Sequence, residues 1–165
     1  MAFICTLDPE EPLLLTQINS EEGQGETIIR IPIGIDSVSE EVFSVFVCFA
    51  TIPGYGALRH ELVFHVVKAI EGGDETFWSD GLETAHIIPN HMDRFLILNV
   101  ICLATDKLID QVGPIEVMMT THEANLPAKA LAKYKGIGSV FVSRGYVPAH
   151  PDIYHGRHIW TYTQP

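Results

Sequence analysis

The chain has 165 residues, 47% of them hydrophobic and 19% charged, and its mean hydropathy is +0.18. That length suits one domain with a core large enough to need no disulfide or metal staple, and the apolar content excludes a disordered chain. A net charge of −11, from 10 basic and 21 acidic residues, makes nucleic acid an unlikely partner and favours a basic protein instead.

In chain order, residues 2–7 and 12–18 read as short strands separated by an acidic, proline-containing turn, and 19–25 as a polar loop. Residues 26–35 alternate around Ile29, Ile31, Ile33 and Ile35, with Pro32 implying an edge strand or a bulge. Residues 42–52 are apolar almost throughout, as in a strand buried on both faces. Pro53-Gly54-Tyr55-Gly56 is a turn. Across 57–71, Leu58, Leu62, Val66 and Ile70 fall at helical spacing, with Val63 and Val67 beside them and Gly72-Gly73 as a stop. A helix is expected there, although β-branched and aromatic content also suits a strand, which would make residues 1–121 nearly a complete sandwich.

Residues 74–93 are acidic and irregular, with Phe77 and Trp78 as anchors to the core. Residues 94–104 are expected to be a strand, 105–107 a turn, Leu108-Ile109 a short apolar pair and 114–121 a second strand, so that 94–121 make a hairpin. Residues 126–144 read as a helix. Pro127 suits its first turn, and Leu131, Tyr134, Ile137 and Phe141 step at helical spacing. Gly136 and Gly138 oppose it by about 1 kcal/mol each relative to Ala, and Gly145 suits a left-handed cap. Residues 146–147 and 158–163 then close a hairpin around a loop from 148 to 157. The outline over 1–165 is a single α+β domain: mainly an antiparallel sheet or sandwich, with a C-terminal helix and a closing hairpin.

Charge divides the chain. Residues 1–123 hold 20 acids against five bases (Arg30, Arg59, Lys68, Arg94, Lys107), a net of −15. Residues 124–165 hold one acid, Asp152, against Lys129, Lys133, Lys135, Arg144 and Arg157, a net of +4. An acidic β-rich body, 1–123, thus precedes a basic helix-hairpin tail, 124–165. The tail interleaves its bases with Tyr146, Tyr154, Trp160 and Tyr162, as a nucleic-acid footprint does. The overall charge repels a phosphate backbone, so the tail is expected to be compensated by the body of its own chain.

No secretory pattern opens the sequence, and the longest apolar stretches, 42–52 and 95–104, are about half a bilayer span. A cytoplasmic protein without membrane contact is expected. Cys5, Cys48 and Cys102 show no paired spacing and suit small buried hydrophobes in a reducing compartment. So apolar a chain with so few charges also suits a homo-oligomer.

Eight histidines raise the question of metal. His60 and His65 are five apart, as are His86 and His91, which on a helix separates them by about 140°. Neither pair makes the His-Glu-x-x-His arrangement, so no metal site is assigned. The densest cluster is His150, Asp152, His155, Arg157 and His158, a candidate ligand-binding set in a turn-forming context. A histidine with an aspartate suits a general base and its orienting partner, and Arg157 suits an anion. There is no phosphate-cradling glycine loop and no Gly-x-Ser-x-Gly elbow, so no catalytic residue is assigned and no cofactor is expected. The expected function is a non-catalytic binding or inhibitory module that engages a protein partner through an acidic surface. The alternative is a small enzyme, or a ligand- or metal-binding domain, using the 150–158 loop.

Overall fold

The computed structural model describes residues 2–8, 19–23, 25–69, 73, 75–78 and 82–165, without the side chains of 19–23, 77 and 82. The strand expected over 12–18 and the Phe77 anchor lie outside them.

The chain runs through β1 (Phe3–Cys5), β2 (Asn19–Gly23) and β3 (Glu26–Asp36), then β4 (Val42–Thr51) and β5 (Arg59–Ala69), and β6 (Glu75–Trp78) returns along β5. Helices α1 (Leu82–Ile87) and α2 (His91–Val112) lead to β7 (Glu116–Thr120). After α3 (Ala128–Ser143) come β8 (Val147–Pro148), β9 (Asp152–Tyr154) and β10 (Arg157–Thr163). All the described strands join one sheet, ordered β3-β4-β5-β7-β10, with β1 and β2 on the outer edge of β3 and β8 and β9 on that of β10. Every described pairing is antiparallel except β5 with β7. The fold is therefore α+β, mainly antiparallel, with a C-terminal helix and closing hairpin as expected, built on one sheet rather than a sandwich.

The meander forms because alternate residues of its long strands make one apolar face. Ile29 and Ile31 of β3, Val45, Val47 and Phe49 of β4, and Leu62 and Val66 of β5 are all buried. Pro32 has no N–H to donate, and the register shifts between Pro32 and Gly34 to absorb it as a bulge. Gly34 also admits β1, since a Cβ there would strike the Phe3 ring and the Ile4 carbonyl oxygen. Trp78 anchors β6 as expected, 6.0 Å from the Phe43 ring.

Four local expectations are corrected. Within 74–93, expected to be irregular, lie β6, α1 and the first residues of α2. Residues 57–71 do not form a helix: 59–69 are β5, paired with β4 along its length. The polar 19–25 stretch is largely β2, whose main chain pairs with Glu26–Arg30 at a sheet edge where no apolar face is required. The hairpin expected over 94–121 is instead α2 followed by β7. Asn90 caps α2, its Oδ1 accepting from Met92 N and Asp93 N at 2.8 and 3.2 Å, and Gly113 ends it at φ 59°. Thr105, expected in a turn, lies buried mid-helix with Oγ1 donating to Ile101 O at 2.8 Å.

The helices cover the face bearing Phe49 and Phe64: Phe141 of α3 lies 6.2 Å from Phe49 and stacks on Tyr162 of β10 at 5.0 Å. Within α3, Tyr134, Ile137 and Phe141 are buried, as their spacing requires. Among the described residues no helix is long and apolar enough to cross a membrane.

Candidate functional site

The sheet splits along one edge of β5. β6 pairs with Val66–Ala69 and β7 with Arg59–Glu61, leaving residues 62–65 between them. Above this split lies a cleft of about 470 Å³. Phe64 and Val66 of β5 supply part of its floor. Ile97, Leu98 and Ile101 of α2, Ile88 after α1, and Pro127 and Ala130 at the start of α3 supply the rest. Most of the polar groups come from the helices, Thr84 from α1, His91 and Arg94 from α2, and Lys129 and Lys133 from α3, and His65 of β5 adds another. Among the described lining residues there is no carboxylate.

Local structure fixes this rim. The Asn90 cap sets the first turn of α2, where Arg94 Nη2 donates to His91 Nδ1 at 2.9 Å. Asp93 of the same turn interacts instead with Cys5 of β1. Pro127 holds the N-cap of α3 with no side-chain cap bond, and no acid lies in the first turn. Lys133 lies 5.9 Å from the Tyr134 ring.

A second, polar cavity of about 270 Å³ opens beside the first, sharing Phe64 and His65 with it. It lies past the carboxyl end of β7, where the parallel pair separates, a position that open sheets commonly use for ligands. Glu61, Thr120, Thr121, His122 and Arg157 line it, with Tyr134 as a wall. Burial pushes the Glu61 carboxyl up from its ordinary range. Arg157 Nε donates to His122 O at 3.1 Å, and Thr121 Oγ1 accepts from His158 N at 3.1 Å.

The 150–158 candidates divide between locations. Strand alternation in the β9–β10 hairpin puts Asp152 and Arg157 on one face and His158 on the other. Arg157 reaches the polar cavity. His158 stacks on Trp160 at 5.7 Å, Trp160 on Tyr134 at 4.7 Å, and Tyr134 lies 5.4 Å from Phe64 at the cleft floor. His150, Asp152 and His155 stay exposed, with local partners. His150 Nδ1 donates to Pro151 O at 2.8 Å, Asp152 Oδ1 accepts from Ile153 N at 2.8 Å, and His155 turns the hairpin at φ 51° against Tyr154.

His60 and His65 project to opposite sides of β5, and His86 and His91 sit in different helices. Among the described residues, no three His, Cys, Asp or Glu groups converge as metal ligands would. Cys48 is buried, and burial pushes its thiol up to about 11; burial also raises Cys5 and Cys102.

The cleft was missed in the sequence because four separated segments build it. One local signal did exist. Lys129 stands in the first turn of α3, where the helix dipole disfavours cations. Comparison with family models, curated proteins and solved structures gives no match, so the geometry alone must argue for function.

Proposed function

We propose that the protein is a non-catalytic binding module whose site is the cleft between β5 and the N-terminal halves of α2 and α3. The observation that supports this is the cleft's described lining: ten apolar residues, five cationic or imidazole groups (His65, His91, Arg94, Lys129 and Lys133), and no carboxylate or thiol. A concave, mainly apolar site with a few convergent polar groups suits a bound ligand. Thr84 brings the only hydroxyl among the described lining residues, so the groups present suit holding a molecule better than attacking one.

Nile red, a neutral apolar dye, tests the site. It is expected to bind saturably, and Ala130→Trp, which fills the cleft from α3, is expected to abolish binding. A native, folded chain that does not bind the dye, or a variant that binds it unchanged, would overturn the proposal.

A basic protein on the acidic outer surface is a second reading, supported by the net of −15 over residues 1–123. Asp36, Glu41, Glu75, Asp106, Asp110 and Glu116 from that body are already paired within the chain, which weakens it. An association rate indifferent to salt would remove it. A homo-oligomer has its best support on the outer side of α2, where Met92 and Leu103 are exposed. Sedimentation of the native chain as a monomer would rule it out.

A further inference from the structure

Resting on the cleft as the binding site, we propose that its ligand is an anionic amphiphile: a flexible aliphatic chain ending in a carboxylate or a phosphate. Two features of the cleft carry this, its charge and the kind of apolar surface it offers.

Charge is placed against the trend of the molecule. The chain carries −11 overall, yet the described rim of this cleft holds Arg94, Lys129 and Lys133 and not one acid. Two described acids adjoin rim residues in sequence: Glu83 precedes Thr84 outside the lining, and Asp93, beside Arg94, engages Cys5 of β1. Among the described residues, Arg94 and Lys129 form no ion pair, whereas Arg30, Arg59, Lys68 and Arg144 all do. Lys129 also stands in the first turn of α3, where a cation opposes the helix dipole, so its placement does not serve the helix. The distant carboxylates of the body are screened beyond about 8 Å at physiological salt. An anionic head at the rim therefore meets mainly the local cations.

The apolar surface is aliphatic for the most part. Val66, Ile88, Ile97, Leu98 and Ile101 line it, and the aromatic rings are Phe64 and Phe95. No described carboxylate is present to accept from sugar hydroxyls or base amino groups, as a nucleotide site would need. A flexible hydrocarbon chain needs only such a floor. Phe95, more than half exposed, stands at the mouth, where the chain would leave the helices for its head group.

Calorimetric titration of decanoate, decyl phosphate, decanol and decyltrimethylammonium, each below its micelle concentration, tests the assignment. The two anions are expected to bind about tenfold or more tightly than decanol, and decyltrimethylammonium least. In Lys129→Glu/Lys133→Glu the order is expected to reverse, decanoate losing about tenfold and decyltrimethylammonium gaining, an outcome that an unfolded variant cannot mimic. Decanol or decyltrimethylammonium binding native protein as tightly as decanoate would overturn the inference. So would a charge reversal that leaves the order unchanged. A cleft that binds Nile red while ignoring head-group charge sinks this inference alone; failure to bind Nile red sinks the site itself.

Discussion

Tyr134 of α3 stacks on Trp160 of β10, with ring centroids 4.7 Å apart and 13° between the planes. Phe64 of β5 flanks Tyr134 on one side, and His158 flanks Trp160 on the other. Four rings thus run from the closing hairpin to the floor of the cleft. This row ties the basic tail to the acidic body through apolar contact, whereas the ion pairs of Arg144 with Asp106 and Asp110, which also join them, are surface-exposed and weak by comparison.

The stack should therefore carry measurable coupling. Tyr134→Leu and Trp160→Leu are each expected to cost about 2 kcal/mol in urea unfolding, from lost area and imperfect filling. The double variant is expected to cost less than the sum by about 1 kcal/mol, the aromatic pair's share. Additive losses would mean that the rings touch without mutual stabilisation.

Two glycines in α3 should respond oppositely to the same substitution. At Gly136 an added Cβ would lie 3.4 Å from the flexible end of Leu98, an ordinary contact. Gly136→Ala is expected to stabilise by up to about 1 kcal/mol through helix propensity. At Gly138 the Cβ would collide with the Tyr162 hydroxyl, which packs directly on the helix backbone. Gly138→Ala is expected to cost about 1–3 kcal/mol by overpacking. Tyr162→Phe should recover part of that loss. Thermal unfolding of the four proteins decides it, and a stabilised Gly138→Ala would refute the close packing of Tyr162 on α3.

These two glycines also show what was legible. In sequence both looked like equal costs to a helix; only the packing of Tyr162 separates them. The α3 pattern survived because Tyr134, Ile137 and Phe141 fill one stripe. The pattern for α2 did not, because apolar residues run nearly all the way round it, buried on one side and exposed at Met92, Phe95 and Leu103 on the other. The capping pair was readable, though: Asn90 with Asp93 at the start and Gly113 at the end mark a helix. For β5, Leu58, Leu62 and Val66 misled because residues four apart share a face in a strand as well as in a helix. The β-branched content of 62–67 was the better guide. Of the candidate site, Arg157 reaches a cavity and His158 joins the ring row, while alternation along β9 and β10 separates neighbours that sequence had grouped together.

His60 offers a test of burial against titration. It lies on the helix-facing side of β5, 6.1 Å from the Phe49 ring, with 7% of its surface exposed. Its Nδ1 is buried without a hydrogen-bond partner among the described residues. Burial lowers its pKa below the ordinary 6.5, so the folded ring is neutral at pH 7. Below pH 6.5 the unfolded ring takes up a proton that the folded one refuses, so this group's contribution to stability falls as pH drops from 6.5 towards the folded value. His60→Leu removes both the orphaned nitrogen and the titration. It is expected to raise stability at pH 7 by about 1 kcal/mol, and the gain should widen in acid as the native chain weakens. Urea midpoints of both proteins at pH 5.5 and 7.5 measure this. A less stable variant with an unchanged difference between the two pH values would show that His60 is satisfied in the fold and that another group sets the acid response.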